Sequence, residues 1–214
     1  MKAHDVVIVG YGGLAKEIAQ YISDINRDAK VWDLLGFCAE QGALIGREIG
    51  EYKIVMCDDD LSYNSDSLAV ILGVGFPNVI AKTALRFAGN SSLSFPNIIH
   101  PHSYRSSHIR MERGNIVCPG TIMSVDVEIG SNNVFNWNCT IGHDAKIGSF
   151  NVFNPSCNIS GSTKIGSRIL IGTGAQILQG LSICDDVIIG AGAVVTKDIT
   201  EPGTYVGMPA RKLK

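Results

Sequence analysis

Ile129-Gly-Ser-Asn-Asn-Val-Phe135-Asn-Trp-Asn-Cys-Thr-Ile141-Gly-His-Asp-Ala-Lys-Ile147 decides the fold, because a large apolar residue returns at every sixth position. Extended both ways, the column reads Ile99, Arg105, Met111, Val117, Met123, Ile129, Phe135, Ile141, Ile147, Phe153, Ile159, Ile165, Ile171, Ile177, Ile183, Ile189 and Val195. Sixteen of these 17 residues are large and apolar, and no insertion breaks the count. The column one residue later, from His100 to Thr196, is mostly small or polar, so composition does not account for the period. A strict hexad predicts a parallel β-helix in which each hexad lays down one flat face.

The other slots sharpen that expectation. The fifth slot, from Ser103 to Ile199, holds small to medium residues, as a tightly wound coil requires. The fourth holds Gly, Asn or Asp in 11 of 17 cases, residue types that tolerate left-handed backbone, and so marks the corner of each coil. Three hexads close one triangular coil, which stacks residues 18 apart and places Phe135 over Phe153. Seventeen slots then give nearly six coils, roughly 25 Å of prism at β-strand spacing. Arg105 interrupts the column and is expected to point outward. Cys139 and Cys157 are also three hexads apart; their separation permits a disulfide, but parallel Cβ vectors favour two small core fillers.

The whole chain has 214 residues, 45% of them hydrophobic, and a formal net charge of −2. That is enough chain for one large or two small domains. The charge predicts neither a nucleic-acid nor an anionic-membrane surface. Apolar runs break well short of the ~20 residues of a membrane span. The N-terminus does not resemble a signal peptide, so a cytoplasmic protein is expected. Six cysteines without a CxxC pair argue against a zinc site.

Residues 1–98 read differently from the repeat at 99–214. Asp5-Val-Val-Ile-Val9 is a short β-branched run ending at Gly10, and Gly12 and Gly13 follow. Leu14, Ala15, Ile18, Ala19 and Ile22 then recur at helical spacing. Strand, glycine turn and helix can cradle a phosphate on free N–H groups, or can simply be the tight βα turn of any α/β fold. Further strands are predicted at 31–37, 52–56 and 68–74, the last ended by Gly73-Val-Gly75, and a helix over 77–87 opened by Pro77. Alternation of this kind implies a small parallel sheet, a truncated Rossmann-like unit. The run Asp58-Asp-Asp60 is expected to cap a helix. Asp33 is the nearest acidic residue at the distance where a dinucleotide fold holds a ribose, and it is not placed at a strand end, which disfavours NAD.

Within the regular repeat beyond the first two coils, His143 is the one histidine. It occupies a third slot just before a corner, so its ring should project outward; a plain surface histidine fits that place too. Asp144 fills a corner slot and needs no functional explanation from spacing alone. The residues stacked on His143 are Val125 and Gly161, which offers no metal site.

Ile189-Gly-Ala-Gly-Ala-Val-Val-Thr-Lys-Asp198 and the closing Tyr205-Val-Gly-Met-Pro-Ala-Arg211, on top of the hexad, resemble the hexapeptide-repeat acyltransferases. With Val7-Ile-Val-Gly-Tyr-Gly-Gly13 and the joint Ile99-His-Pro101, the chain is similar to the sugar acetyltransferases of bacterial surface-glycan and O-antigen pathways. These include nucleotide-linked amino-sugar N-acetyltransferases of the bacillosamine, perosamine and viosamine types, and sialic acid O-acetyltransferases.

The resemblance implies a left-handed β-helix, a homotrimer with active sites between subunits, and acetyl-CoA as co-substrate without a metal. It implies His143 as general base, Asp144 as its orienting acid and Asn136 as a substrate contact. Gly10, Gly12, Gly13, Gly73 and Gly75 would hold the nucleotide. Gly172, Gly174, Gly190, Gly192, Lys197, Pro209, Arg211 and Lys212 would lie along the CoA. Two departures from the pattern stand out: Asn151 occupies the place of a second active-site histidine, and in Gly36-Phe-Cys38-Ala39-Glu40 the last two residues stand where the pattern has an Asp-Asp pair. Both imply a sugar or nucleotide unlike the bacillosamine case. The activity implied is N-acetylation of a UDP-, GDP- or dTDP-linked 4-amino-deoxy sugar. Its rivals are sialic acid O-acetylation and a non-catalytic sugar-nucleotide-binding trimer.

Overall fold

A computed structural model describes residues 3–213. The chain divides into two compact units, Met1–Gly75 with Val79–Pro101, and Phe76–Asn78 with His102–Lys214.

From His4 to Ser94 the elements run β1 (His4–Val9), α1 (Gly13–Ile25), β2 (Trp32–Ala39), β3 (Glu48–Ile49), β4 (Tyr52–Cys57), α2 (Asp58–Ser62), β5 (Leu68–Leu72), α3 (Pro77–Phe87) and β6 (Leu93–Ser94), all in the first unit except Pro77 and Asn78 at the start of α3. The sheet order is β3-β4-β2-β1-β5-β6. All neighbours are parallel except the β3–β4 hairpin. The chain builds outward from β1 to β4, then returns to the other side of β1. The order therefore reverses between β1 and β5, and a crevice forms at the carboxyl ends of strands at such a point.

Sequence explains why these strands sit centrally. All five residues of β5 and the last four of β1 are buried, matching their continuous apolar runs. Helix α1 packs on β1 and β2, burying Ala15, Ile18, Ala19 and Ile22 of the helical-spacing face together with Tyr21, while Leu14 of that face is half-buried. The aspartate run divides its labour. The Asp60 carboxylate accepts the Cys57 N–H at 2.9 Å, the expected cap, whereas Asp58 turns inward to pair with Arg86 and accept the Cys38 thiol at 3.7 Å. Strand β2 extends to Ala39, and β5 ends at Leu72, not Val74. The two-residue strands β3 and β6 are too short to show a period.

In the second unit, parallel pairs join residues 18 apart, as in Val134↔Val152, Thr140↔Asn158 and Glu128↔Lys146. Successive hexads feed three sheets in turn. One carries Val134–Phe135, the next Thr140–Ile141 and the third Lys146–Ile147. From Val117 to Val195 the apolar column is buried throughout, while Arg105 is exposed as expected. The Phe135 and Phe153 rings stack at 4.6 Å and 11°. Gly203–Val206 and the antiparallel Arg211–Lys212 close the last coil.

The corners follow the slot and not the residue type. Every fourth-slot residue from Gly114 to Gly192 has φ between 56° and 76°, including Phe150, Ser156, Ser162 and Arg168. Coil geometry imposes left-handed backbone on side chains that disfavour it by about 1–2 kcal/mol each.

The fifth slot holds a polar ladder that its small-residue pattern did not announce. Asn115, Asn133 and Asn151 are wholly buried. The Oδ1 of each accepts the backbone N–H one coil on: Asn133 at 2.9 Å, Asn151 at 2.9 Å and Ile169 at 2.8 Å. Their amide nitrogens donate to Gly130, Gly148 and Gly166 carbonyls. Asn151 is thus an interior member of the prism, and the expectation that it takes an active-site histidine's place is corrected. Cys139 and Cys157 are buried and unbridged. The hydrogen bond with Cys139, together with burial, pushes the Cys157 thiol up.

Candidate functional site

His143 is delivered by three local constraints. Ile141 and Ala145 on either side point into the core. Between them Gly142 and Asp144, at φ 58°, turn the chain from the second sheet into the third. The Asp144 N–H donates to Val125 C=O at 3.1 Å, and the His143 carbonyl accepts Ser162 N–H at 2.7 Å, so the corner is bonded to the coils before and after it. What remains outside is the pair of side chains, 51% and 60% exposed, joined by a His143 Nδ1···Asp144 Oδ2 bond of 2.7 Å.

An ionised carboxylate only accepts, so the shared proton belongs to Nδ1, and in the neutral ring the lone pair then lies on Nε2. Asp144 is thus at once the left-handed corner and the carboxylate bonded to His143 Nδ1. The ring lies over Gly161, one coil on: a Cβ there would stand 2.6 Å from Nε2, 2.7 Å from Cε1 and 3.0 Å from Cδ2. The stacking rule identifies Gly161 as the neighbour of His143; spacing alone gave it no task.

Asn136 is not brought to this pair. It follows Val134–Phe135 on the first sheet; its carbonyl accepts Thr121 Oγ1 at 3.1 Å, and its Oδ1 lies 4.0 Å from Cys118 Sγ. Among the residues expected along the CoA, two kinds of glycine separate. Gly174 and Gly192 are corners with nothing within 4 Å of an added Cβ. At Gly172 a Cβ would lie 2.5 Å from Ala191 N, and at Gly190 2.7 Å from Val206 Cγ1; these glycines let coils pack.

Lys197, Arg211 and Lys212 line one cavity of about 290 Å³ with Tyr205 and Ala210. Lys212 Nζ is bonded to Glu201 at 2.9 Å, and that hydrogen bond raises its pKa, so the two lysines and the arginine are not equivalent cations. Pro209 is exposed in the closing segment. A larger cavity of about 1060 Å³ follows the third sheet past Glu128, Lys146 and Lys164; His143 does not line it.

In the first unit the glycine turn sits at the β1–β5 reversal. Gly10 has φ 95°, and a Cβ there would lie 3.1 Å from Gly73 O. At Gly73 it would meet Ile8 Cγ2 at 2.7 Å and Ala15 Cβ at 2.9 Å, so these glycines bring strand, turn and helix together. Gly75 is roomier, with Leu14 Cδ2 at 3.9 Å. Gly12 caps α1 without a side chain, and neither Gly12 nor Gly13 has an atom within 4 Å of an added Cβ. The first turn of α1 therefore presents its N–H groups on an open surface, which suits an anion. The Arg47 guanidinium lies 5.8 Å above the Tyr11 ring on the same turn, a cation that no sequence pattern marked. Asp33 pairs with Asp5 in register near the opposite ends of the strands and bonds Lys30 at 3.0 Å, away from the turn. Among the described residues, no three His, Cys, Asp or Glu gather as for a metal ion.

Known proteins share this architecture at two levels. Residues 162–197 match the bacterial transferase hexapeptide (six repeats) family. Three solved structures share the fold over nearly the whole length. PerB from Caulobacter crescentus, in complex with CoA and GDP-perosamine, is 24% identical, covers 98% of this chain and 97% of its own, and superposes with a TM-score of 0.88. The acetyltransferase domain of PglB from Neisseria gonorrhoeae, in complex with acetyl coenzyme A, is 22% identical over 99% and 100%, at 0.89. WeeI from Acinetobacter baumannii is 24% identical over 99% and 100%, at 0.86. No curated protein sequence matches the chain.

Proposed function

We propose that this chain is an acetyl-CoA-dependent N-acetyltransferase acting on a nucleotide-linked 4-amino-deoxy sugar. The observation that carries the reading is the His143–Asp144 pair, an outward imidazole whose tautomer is set by a 2.7 Å bond. A sugar amine must lose a proton as it attacks a thioester, and a neutral imidazole suits that task near pH 7. His143 Nε2 takes the proton as nitrogen bonds to the acyl carbon. The Asp144 carboxylate stabilises the imidazolium. The protonated ring then returns its proton to the sulfur as the carbon–sulfur bond breaks, leaving an amide and a free thiol. A backbone N–H of the glycine-rich coils serves the oxyanion. The cysteines take no part; those nearest the site in sequence, Cys139 and Cys157, face inward.

Support for the donor comes from the open corners at Gly174 and Gly192 and from Lys197 and Arg211 at the closing segment, which suit a long phosphorylated thioester. Support for the acceptor's nucleotide comes from the open turn at Gly12 and Gly13 with Arg47 beside it, in what we take as a Rossmann-like unit. PerB's complex with CoA and GDP-perosamine agrees with both substrates. The left-handed sense of the prism, a cytoplasmic homotrimer and a place in O-antigen synthesis complete the proposal. The test is thiol release from acetyl-CoA: His143→Ala should lower turnover by about 10²–10⁴-fold with the fold intact. Wild-type turnover in that variant would refute the assignment.

A further inference from the structure

We infer that Gly161 is a positioning residue for His143, setting the pose of the imidazole through the side chain it lacks; the inference rests on the function proposed above. Two observations carry it. In the third slot of the 17 hexads, Gly161 is the single glycine, all other positions from Pro101 to Lys197 bearing side chains. That one glycine is the residue stacked on His143. Second, the three atoms nearest a Cβ at Gly161 all belong to the His143 ring.

Neighbouring glycines behave otherwise. A Cβ on Gly142 would strike Gly161 N at 2.4 Å, and one on Gly172 would strike Ala191 N at 2.5 Å, so those positions need glycine for the backbone. Gly161 does not: its φ lies outside the left-handed region, and what a methyl would displace is a side chain.

The displacement has a direction. Ordinary contact begins near 3.4 Å, and a Cβ at Gly161 would be 2.6 Å from Nε2, the nitrogen that takes the proton. The ring would have to retreat or turn, yet its other nitrogen is tied to Asp144 at 2.7 Å. A methyl at 161 therefore either lengthens the Asp144 bond or re-aims Nε2. A misplacement on the order of 1 Å costs about 10²-fold in rate.

The test is a double-mutant cycle on the full chain. Gly161→Ala should lower kcat by about 10²-fold, with KM for acetyl-CoA and sugar nucleotide within roughly threefold. The His143 Nδ1–H resonance should shift in nitrogen-15 spectra. In a His143→Ala background the same change should alter neither the residual rate nor Tm, because the methyl then meets no ring. If Gly161→Ala alone proves unstable, recovery of Tm in the double variant supports the inference equally. Wild-type kcat and an unmoved resonance in Gly161→Ala would overturn the inference, as would equal penalties in both backgrounds. Wild-type turnover in His143→Ala would instead overturn the functional proposal, leaving the stability cycle and the resonance to decide the pose.

Discussion

Asp144 occupies a corner that the coil would fill with any left-handed residue, yet its carboxylate is the one that meets His143. Asp144→Asn keeps the corner and loses the charge. It should lower kcat by about 10²–10³-fold while leaving the unfolding midpoint nearly unchanged, measured by thiol release and urea titration. A second histidine pair gives a pH prediction. Burial raises the Asp24 carboxyl, but the hydrogen bond from buried His100, with Gln20 and Arg27 nearby, outweighs it and leaves the pKa below its ordinary value of 3.8. A carboxylate depressed on folding adds stability above its unfolded pKa and loses it as pH falls through the folded value. Asp24→Asn should therefore destabilise the protein at pH 7, and the difference from wild type should shrink below about pH 4, read from unfolding midpoints across pH.

Among the elements, each coil combines a legible part with a hidden one. The inward column from Val117 to Val195, the corners and the Phe135–Phe153 stack were all open to counting, because a hexad with no insertion fixes register without knowledge of any contact. The asparagine ladder was not, because Asn in a small-residue slot has no apolar signature, and only the 18-residue stack reveals that one amide feeds the next. Asn133→Leu should cost about 2–4 kcal/mol in urea unfolding, since it strips the buried Asn151 N–H of its acceptor and Gly148 O of a donor. At the corners the opposite change should help: Ser156→Gly relieves a φ of 62° and should raise stability by about 0.5–1 kcal/mol, less the entropy that glycine adds to the unfolded chain.

For the whole molecule, the two compact units share their fold over nearly the whole length with PerB, PglB and WeeI; on the function proposed above, the first unit would hold the nucleotide and the prism would carry the His143–Asp144 pair. Sequence exposed the glycine turn but not Arg47, whose approach to Tyr11 depends on an irregular segment between β2 and β3. It likewise located His143 and its stacked neighbour Gly161 without showing that the ring lies against that glycine. The proposed homotrimer should sediment at three times the 22.9 kDa chain mass in analytical ultracentrifugation. Most direct of all is a panel of UDP-, GDP- and dTDP-linked 4-amino sugars with acetyl-CoA, followed by thiol release and product mass. The account predicts that one amino-sugar nucleotide releases thiol stoichiometrically and gains an acetyl group that hydroxylamine does not remove. Thiol release only with sialic acid, giving a hydroxylamine-labile ester, would contradict it, as would no release with any acceptor.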